Sequence, residues 1–443
     1  MLHFGTDGVR GVAIDELTPA MSRDLARAVA RVLHPVAVVI GRDTRESGPE
    51  LERAIIDGCA AEGVAVHLLG VAPTPAIAFA AERHGWVGIA ITASHNPWTD
   101  NGIKVFAAGG AKLADAEQIE IEREWHALVA EPAPVALGTV HDAFDVLEEY
   151  FEHRVNVVGQ SLGGVRIVVD CANGAMSSVA PSVLEAAGAS VVVMNDAPDG
   201  RNINDGCGAT SPSALAARVI AEGADVGIAF DGDGDRLIAV TATGGLVDGD
   251  YIMAIAATDL AHRGLLRNKG VAVTVMTNLG FHHAMEKAGV DVVVTPVGDR
   301  SVLMALDEYD FVLGGEQSGH IVHRAHATTG DGLLAALILL EYIARTRTPL
   351  DKAVTIMQSY PQILVNVRTD ERVNDPAGVL ADDIVREEKE LGGNGRILVR
   401  ASGTEPLVRI MVEAATEDVA QSVAHRLADV LIHRHGGVIE GGH

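Results

Sequence analysis

Trp86-Val87-Gly88-Ile89-Ala90-Ile91-Thr92-Ala93-Ser94-His95-Asn96-Pro97 is an apolar run that turns polar within two residues and is stopped by proline. An uninterrupted apolar segment of this length reads as a strand buried on both faces, the kind found in parallel sheets covered by helices. Asn-Pro then bounds a turn. In open α/β sheets ligands collect beyond the carboxyl ends of strands, which places Ser94 at the mouth of a cleft. The same grammar recurs. Asp225 to Phe230 runs into Asp231-Gly232-Asp233-Gly234-Asp235-Arg236, and Phe311 to Leu313 runs into Gly314-Gly315-Glu316-Gln317-Ser318-Gly319-His320.

Working outward, Thr18-Pro19 is an N-cap and first-turn pair opening a helix to about Leu33. Val36 to Ile40 is a strand that ends in Gly41-Arg42-Asp43-Thr44-Arg45, Ser47 opens a second helix, and Val64 to Leu69 is a strand. The alternation restarts at Val165 to Asp170, continues through Ser190 to Met194, and restarts again with Val271 to Val275 and Val292 to Thr295. Three βαβ-type blocks predict an α/β protein with mixed or parallel sheets covered by helices, and mixed sheets are the expectation taken forward. After Pro361 the pattern changes: a strand from Ile363 to Arg368, one charged helix from Pro376 to Lys389, two strands around Arg400 and a last helix to about His433. That is a small α+β domain. The expected divisions are 1–145, 146–246, 247–356 and 357–443.

The chain has 443 residues, 48% hydrophobic and 21% charged, with a net charge of -26. So much negative charge argues against nucleic acid or anionic membrane as partner. Cys59, Cys171 and Cys207 form no CxxC pair, so neither zinc ribbon nor disulfide framework is expected. Met1 to Gly11 lacks an apolar targeting core, and Leu333 to Leu340 is too short to span a bilayer. A cytoplasmic protein is expected.

Each polar loop admits a chemical and a plain reading. Ser94 is a nucleophile that needs electrostatic help, or an incidental serine in an Asn-Pro turn. Asn101-Gly102-Ile103-Lys104 reads as a turn bringing Lys104 back toward it. Asp231, Asp233 and Asp235 repel one another unless a cation or protons intervene, and oxygen-only ligands suit Mg²⁺. An EF-hand is excluded, because Arg236 and Ala242 stand where Gly and Glu are required. Glu316, Ser318 and His320 share a face if their segment is extended, where they could grip sugar hydroxyls; a Gly-rich loop with a structural histidine is the plain alternative. Arg400-Ala401-Ser402-Gly403-Thr404-Glu405-Pro406, with Arg409 beyond, is a phosphate nest or a hairpin turn. Phe4-Gly5-Thr6-Asp7-Gly8-Val9-Arg10-Gly11 offers Arg10 to a catalytic centre, or is a solvated turn.

Taken in order from end to end, these five loops resemble those of the α-D-phosphohexomutases, and Gly-Glu-Gln-Ser-Gly-His at 315–320 with Thr328-Thr329-Gly330-Asp331-Gly332 resembles the glucosamine branch. The resemblance implies four domains around a central cleft. Ser94 matches the phosphoserine, and Asp231, Asp233 and Asp235 match Mg²⁺ ligands, with the phosphoserine adding an oxygen. Arg236, Glu316 and Ser318 match substrate-binding positions. Arg400, Ser402, Gly403, Thr404 and Arg409 match the phosphate loop, and Arg10, His95, Lys104 and His320 match groups near the reacting oxygens. Trp98-Thr99 and Ala401 depart from the common pattern without removing a ligand. The implied activity is conversion of glucosamine 6-phosphate to glucosamine 1-phosphate through a 1,6-bisphosphate, toward UDP-N-acetylglucosamine. Glucosamine or glucose 1,6-bisphosphate is the implied activator, sugar phosphates are the partners, and a homodimer is possible. Action on mannose or glucose phosphates, or a non-catalytic sugar-phosphate sensor, are the alternatives.

Overall fold

The structure is a computed structural model and describes residues 2–5, 8–128, 137–402 and 405–440. It carries four sheets. The first has six strands, in the order Val9–Val12, Asp100–Phe106, Val87–Ile91, Ala37–Arg42, Ala65–Val71 and Val140–Asp142. The second has five: Leu246–Val247, Leu237–Thr241, Val226–Phe230, Arg166–Asp170 and Ser190–Met194. The third has four: Asp291–Thr295, Gly270–Thr274, Leu313–Gly315 and Ile321–His323. All three mix parallel and antiparallel pairs, as the alternating pattern predicts. The fourth is antiparallel: Arg396–Ala401, Leu407–Glu413, Gln362–Arg368 and Val438–Glu440.

By contact density the chain forms two units, one of residues 1–276 and 288–356, the other of residues 277–287 and 357–443. In the larger unit the strands Val87–Ile91 and Val226–Phe230 are buried along their whole length, which is why both read as unbroken apolar runs. Thr18 caps the helix Pro19–Leu33, its hydroxyl oxygen accepting from Met21 N at 3.2 Å. In the smaller unit Val365, Val367, Val408, Ile410 and Val412 pack against Ala420, Val423, Leu427 and Leu431 of the helix Glu417–His435.

Three expectations are corrected. Asn101 to Lys104 is not a turn but part of the strand Asp100–Phe106, antiparallel to Val87–Ile91, because its alternation continues the apolar face through Ile103 and Val105. The helix expected over Pro376–Lys389 is two, Pro376–Val379 and Ala381–Leu391, broken at Leu380 with φ -101° and ψ 8°. The strand expected at Phe311 to Leu313 begins at Leu313 and ends at Gly315.

One buried ion pair ties the larger unit together. Arg154 Nε donates to Asp331 Oδ2 at 2.8 Å, Tyr150 OH donates to the same oxygen at 2.9 Å, and Asp331 Oδ1 caps the helix Gly332–Thr346 by accepting from Leu334 N at 2.9 Å. Burial and the neighbouring carboxylate push the Tyr150 phenol well above its usual range. Asp331→Ala leaves a buried guanidinium and a bare helix end, so a loss of about 3–5 kcal/mol is expected in urea unfolding. A loss under about 1 kcal/mol would mean that the pair is locally compensated.

Candidate active site

Ser94 sits three residues past the strand Val87–Ile91 with φ 53°, a left-handed conformation that a serine adopts only when its surroundings hold it there. They do. Ser94 N donates to Thr92 Oγ1 at 2.9 Å, while its carbonyl oxygen accepts from an Arg45 guanidinium nitrogen at 3.1 Å and from Asn204 Nδ2 at 2.9 Å. The hydroxyl donates to Asp231 Oδ2 at 2.6 Å and lies 3.3 Å from His95 Nδ1. Residues 137 positions apart thus meet side chain to side chain. His95, adjacent in sequence, therefore also faces the serine hydroxyl.

The acidic loop joins two antiparallel strands, Val226–Phe230 and Leu237–Thr241. Its glycines are needed for closeness: a Cβ on Gly232 would lie 2.6 Å from the Ser94 carbonyl oxygen, and Gly234 has φ +75°. Asp231, Asp233 and Asp235 are all buried, and one carboxylate oxygen from each lies within 4.8 Å of the others. Lys104 Nζ donates to Asp233 Oδ2 at 2.9 Å and to Asp235 Oδ2 at 3.0 Å. Lys104 therefore meets the acidic loop whose Asp231 accepts from the Ser94 hydroxyl. Thr74 Oγ1 adds a bond to Asp233 Oδ2 at 2.7 Å. Burial, then the neighbouring Asp235 and Asp233, push the Asp231 carboxyl well above the usual carboxylate range. Burial, with the positive Arg236 and Arg10 nearby, pulls His95 down to about 4.

This trio fits a hard divalent cation. Asp233 Oδ1 is buried without a hydrogen-bond partner, and three carboxylates converge on one point.

A cavity of about 430 Å³ opens beside the trio, lined among others by His3, Arg10, Asp235, Arg236, Glu316 and His320. Glu316 does not project from an extended segment. Gly319 N donates to Glu316 O at 3.0 Å, closing a tight turn between Leu313–Gly315 and Ile321–His323. Glu316 and His320 therefore line the cavity, while Ser318 is exposed on the turn and outside the lining, contrary to the shared face expected of an extended run. His320 is buried, its ring nitrogens unbonded, with Asp299 Oδ2 3.8 Å from Nε2.

The smaller unit holds the Arg400 loop. Arg400 and Arg409 stand directly opposite on paired strands, an arrangement of like charges that is unfavourable without an anion. Burial and Arg409 lower the Arg400 pKa. Ser402 N donates to Leu407 O at 2.7 Å, and its hydroxyl accepts from Glu405 N at 3.4 Å. Gly403 and Thr404, like Thr6 and Asp7, lie outside the described residues.

Sequence reasoning missed Arg45, Thr74 and Asn204 as site residues. Arg45 carried the signal used elsewhere, a polar residue just past a buried strand, and Thr74 follows a strand that is only half-buried. Asn204 follows no strand directly, and the Asp205-Gly206 pair after it signals only a turn.

Models of four phosphoglucomutase/phosphomannomutase domains match in order: alpha/beta/alpha domain I over residues 1–130, II over 148–244, III over 248–360 and the C-terminal domain over 364–430. The chain belongs to the phosphoglucomutase/phosphomannomutase family, and its fold is that of the phosphohexomutases, isomerases that act as intramolecular phosphotransferases. It is 52% identical to a phosphoglucosamine mutase of Frankia casuarinae and 48% identical to one of Thermobifida fusca, with 97% of each chain covered in both comparisons. A family protein from Burkholderia thailandensis superposes with TM-score 0.82 at 25% identity, covering 98% of both chains. N-acetylphosphoglucosamine mutase of Aspergillus fumigatus, solved with GlcNAc-6P and magnesium, shares the fold at TM-score 0.68 and 19% identity, covering 97% of this chain and 95% of that one. No helix among the described residues is long and apolar enough to cross a membrane.

Proposed function

We propose that the chain interconverts glucosamine 6-phosphate and glucosamine 1-phosphate, with Ser94 as the phosphoryl carrier. The observation that carries this reading is the Ser94 hydroxyl held 2.6 Å from Asp231 in a buried three-carboxylate loop. Full-length relatives named phosphoglucosamine mutase support the choice of sugar. In the forward direction the phosphorus–Oγ bond of phosphorylated Ser94 breaks as a phosphorus–O1 bond forms, and the O1 proton leaves. The sugar 1,6-bisphosphate then turns over, Ser94 Oγ takes the phosphoryl group from O6, and O6 regains a proton. Asp231, Asp233 and Asp235 would hold Mg²⁺, which offsets charge on the transferring group.

Lys104 balances part of the trio's charge. Arg10 and Arg236 favour an anionic ligand in the cavity, where Glu316 suits the polar face of the sugar. His320 lines that cavity and is our choice for moving the proton, with His95 beside the serine as the other imidazole in reach. Ser318 would contribute on a turn that closes over ligand. Arg400, Ser402 and Arg409, with Gly403 and Thr404, suit the phosphate that is not being transferred. The divisions 1–145, 146–246, 247–356 and 357–443 would each carry one of these loops. Glucosamine or glucose 1,6-bisphosphate would activate, and a cytoplasmic homodimer is our working form.

Comparing kcat/KM for glucosamine, glucose and mannose 6-phosphates tests the substrate. A preference for the amino sugar of roughly tenfold or more is expected, the scale that one recognised polar group supplies. Preference for mannose 6-phosphate would move the assignment to a phosphomannomutase. Binding of all three without exchange of phosphate between O1 and O6 would leave a sensor.

A further inference from the structure

A second cluster of metal-ligating side chains lies apart from the aspartates. Glu122 and His126 are four residues apart on the helix Asp115–Leu128, hence on one face, and His3 of the N-terminal segment closes over them. One ligand atom from each lies within 4.8 Å of the others. The group is already assembled. His3 Nδ1 is hydrogen-bonded to Glu122 Oε1, and Phe4 N donates to Glu122 Oε2 at 3.3 Å. The His126 ring lies against buried Trp125, with centroids 5.7 Å apart, and edge-on to His3 at 5.8 Å. His126 Nε2 is buried with no hydrogen-bond partner, an imidazole nitrogen available as a ligand.

We propose that His3, Glu122 and His126 form a binding site for a zinc-type divalent cation. Two imidazoles and one carboxylate with a fourth position open to water is a donor set that selects Zn²⁺, whereas the all-oxygen trio at Asp231, Asp233 and Asp235 selects a harder ion. Binding replaces the His3–Glu122 hydrogen bond, so a proton on that pair leaves as the cation enters. The cation would pin residues 3–5 to the helix. His3 and Gly5 also line the cavity that contains Arg10, so occupancy would fix one wall of it.

The test is Co²⁺ titration of the full-length protein in excess Mg²⁺, read by the visible ligand-field band of a low-symmetry cobalt site, with Zn²⁺ as competitor. One equivalent giving such a band, displaced by Zn²⁺, is expected. Affinity should fall at least tenfold in Glu122→Gln and in His126→Gln, with circular dichroism reporting whether each variant is folded. Because Glu122 is only partly buried, its variant keeps the test decisive if His126→Gln unfolds. A band that forms with unchanged affinity in folded Glu122→Gln, or that is lost instead in Asp233→Asn, would overturn the proposal, as would the absence of any band. The measurement does not involve turnover, so its failure leaves the mutase reading standing and its success does not depend on it.

Discussion

Ser94→Ala is expected to lose multi-turnover mutase activity by at least roughly four orders of magnitude, the scale on which removing a covalent nucleophile acts. The reason is stoichiometric. With no Oγ at this position the phosphoryl group has nowhere to wait between leaving one sugar oxygen and arriving at the other. The fold should persist, because the Ser94 backbone is held by Arg45, Asn204 and Thr92, none of which bonds to Oγ. Intact-protein mass spectrometry should find phosphate on the parent chain after incubation with a hexose 1,6-bisphosphate and none on the variant. Full activity in Ser94→Ala would end the mechanism.

Lys104→Met should be the most damaging substitution for stability near the site. The lysine and its two carboxylate partners are almost fully buried, with side-chain exposures of 4%, 1% and 7%. Removing the ammonium takes the hydrogen-bonded cation away from Asp233 and Asp235, a loss of about 3–5 kcal/mol. That loss should be measured in chelator and should shrink as Mg²⁺ is added, because the cation then carries more of the balancing charge. The variant's thermal midpoint should therefore rise with Mg²⁺ more steeply than that of the parent. Equal midpoints in chelator would show that the carboxylates take up protons at little cost. Asp231, whose carboxyl burial and its neighbours already push up, is the group positioned to do so.

Much of this was legible in the sequence, because the fold repeats one local rule. Buried strands leave unbroken apolar runs such as Val87–Ile91 and Val226–Phe230, and the polar residues that follow them fall where ligands bind. The rule found Ser94, the aspartates, Glu316 and His320, and it fails in identifiable ways. Lys104 lies within a strand whose polar beginning, Asp100-Asn101-Gly102, imitates a turn; antiparallel pairing with Val87–Ile91 overrides that local signal. Ser318 was assigned to a shared face by assuming an extended backbone, whereas Gly319, with φ +92°, allows the chain to reverse. Asn204 reaches Ser94 across 110 residues from an irregular segment, where the Asp205-Gly206 punctuation announces a turn but not what the turn touches. The facing pair Arg400 and Arg409 shows only once strand register is known.

The hydrogen bond from Ser94 to Asp231 exists only while the serine is bare, since a phosphorylated oxygen has no proton to give. The carboxylate thus rewards the empty carrier and offers the loaded one nothing until a cation intervenes. On the proposed mechanism, any bisphosphate that escapes before the second transfer strands its enzyme molecule in a dormant form that monophosphate cannot reawaken. A dilute preparation would then slow with time and recover on adding a trace of bisphosphate, so the catalyst would behave as a population with a memory of its last departure.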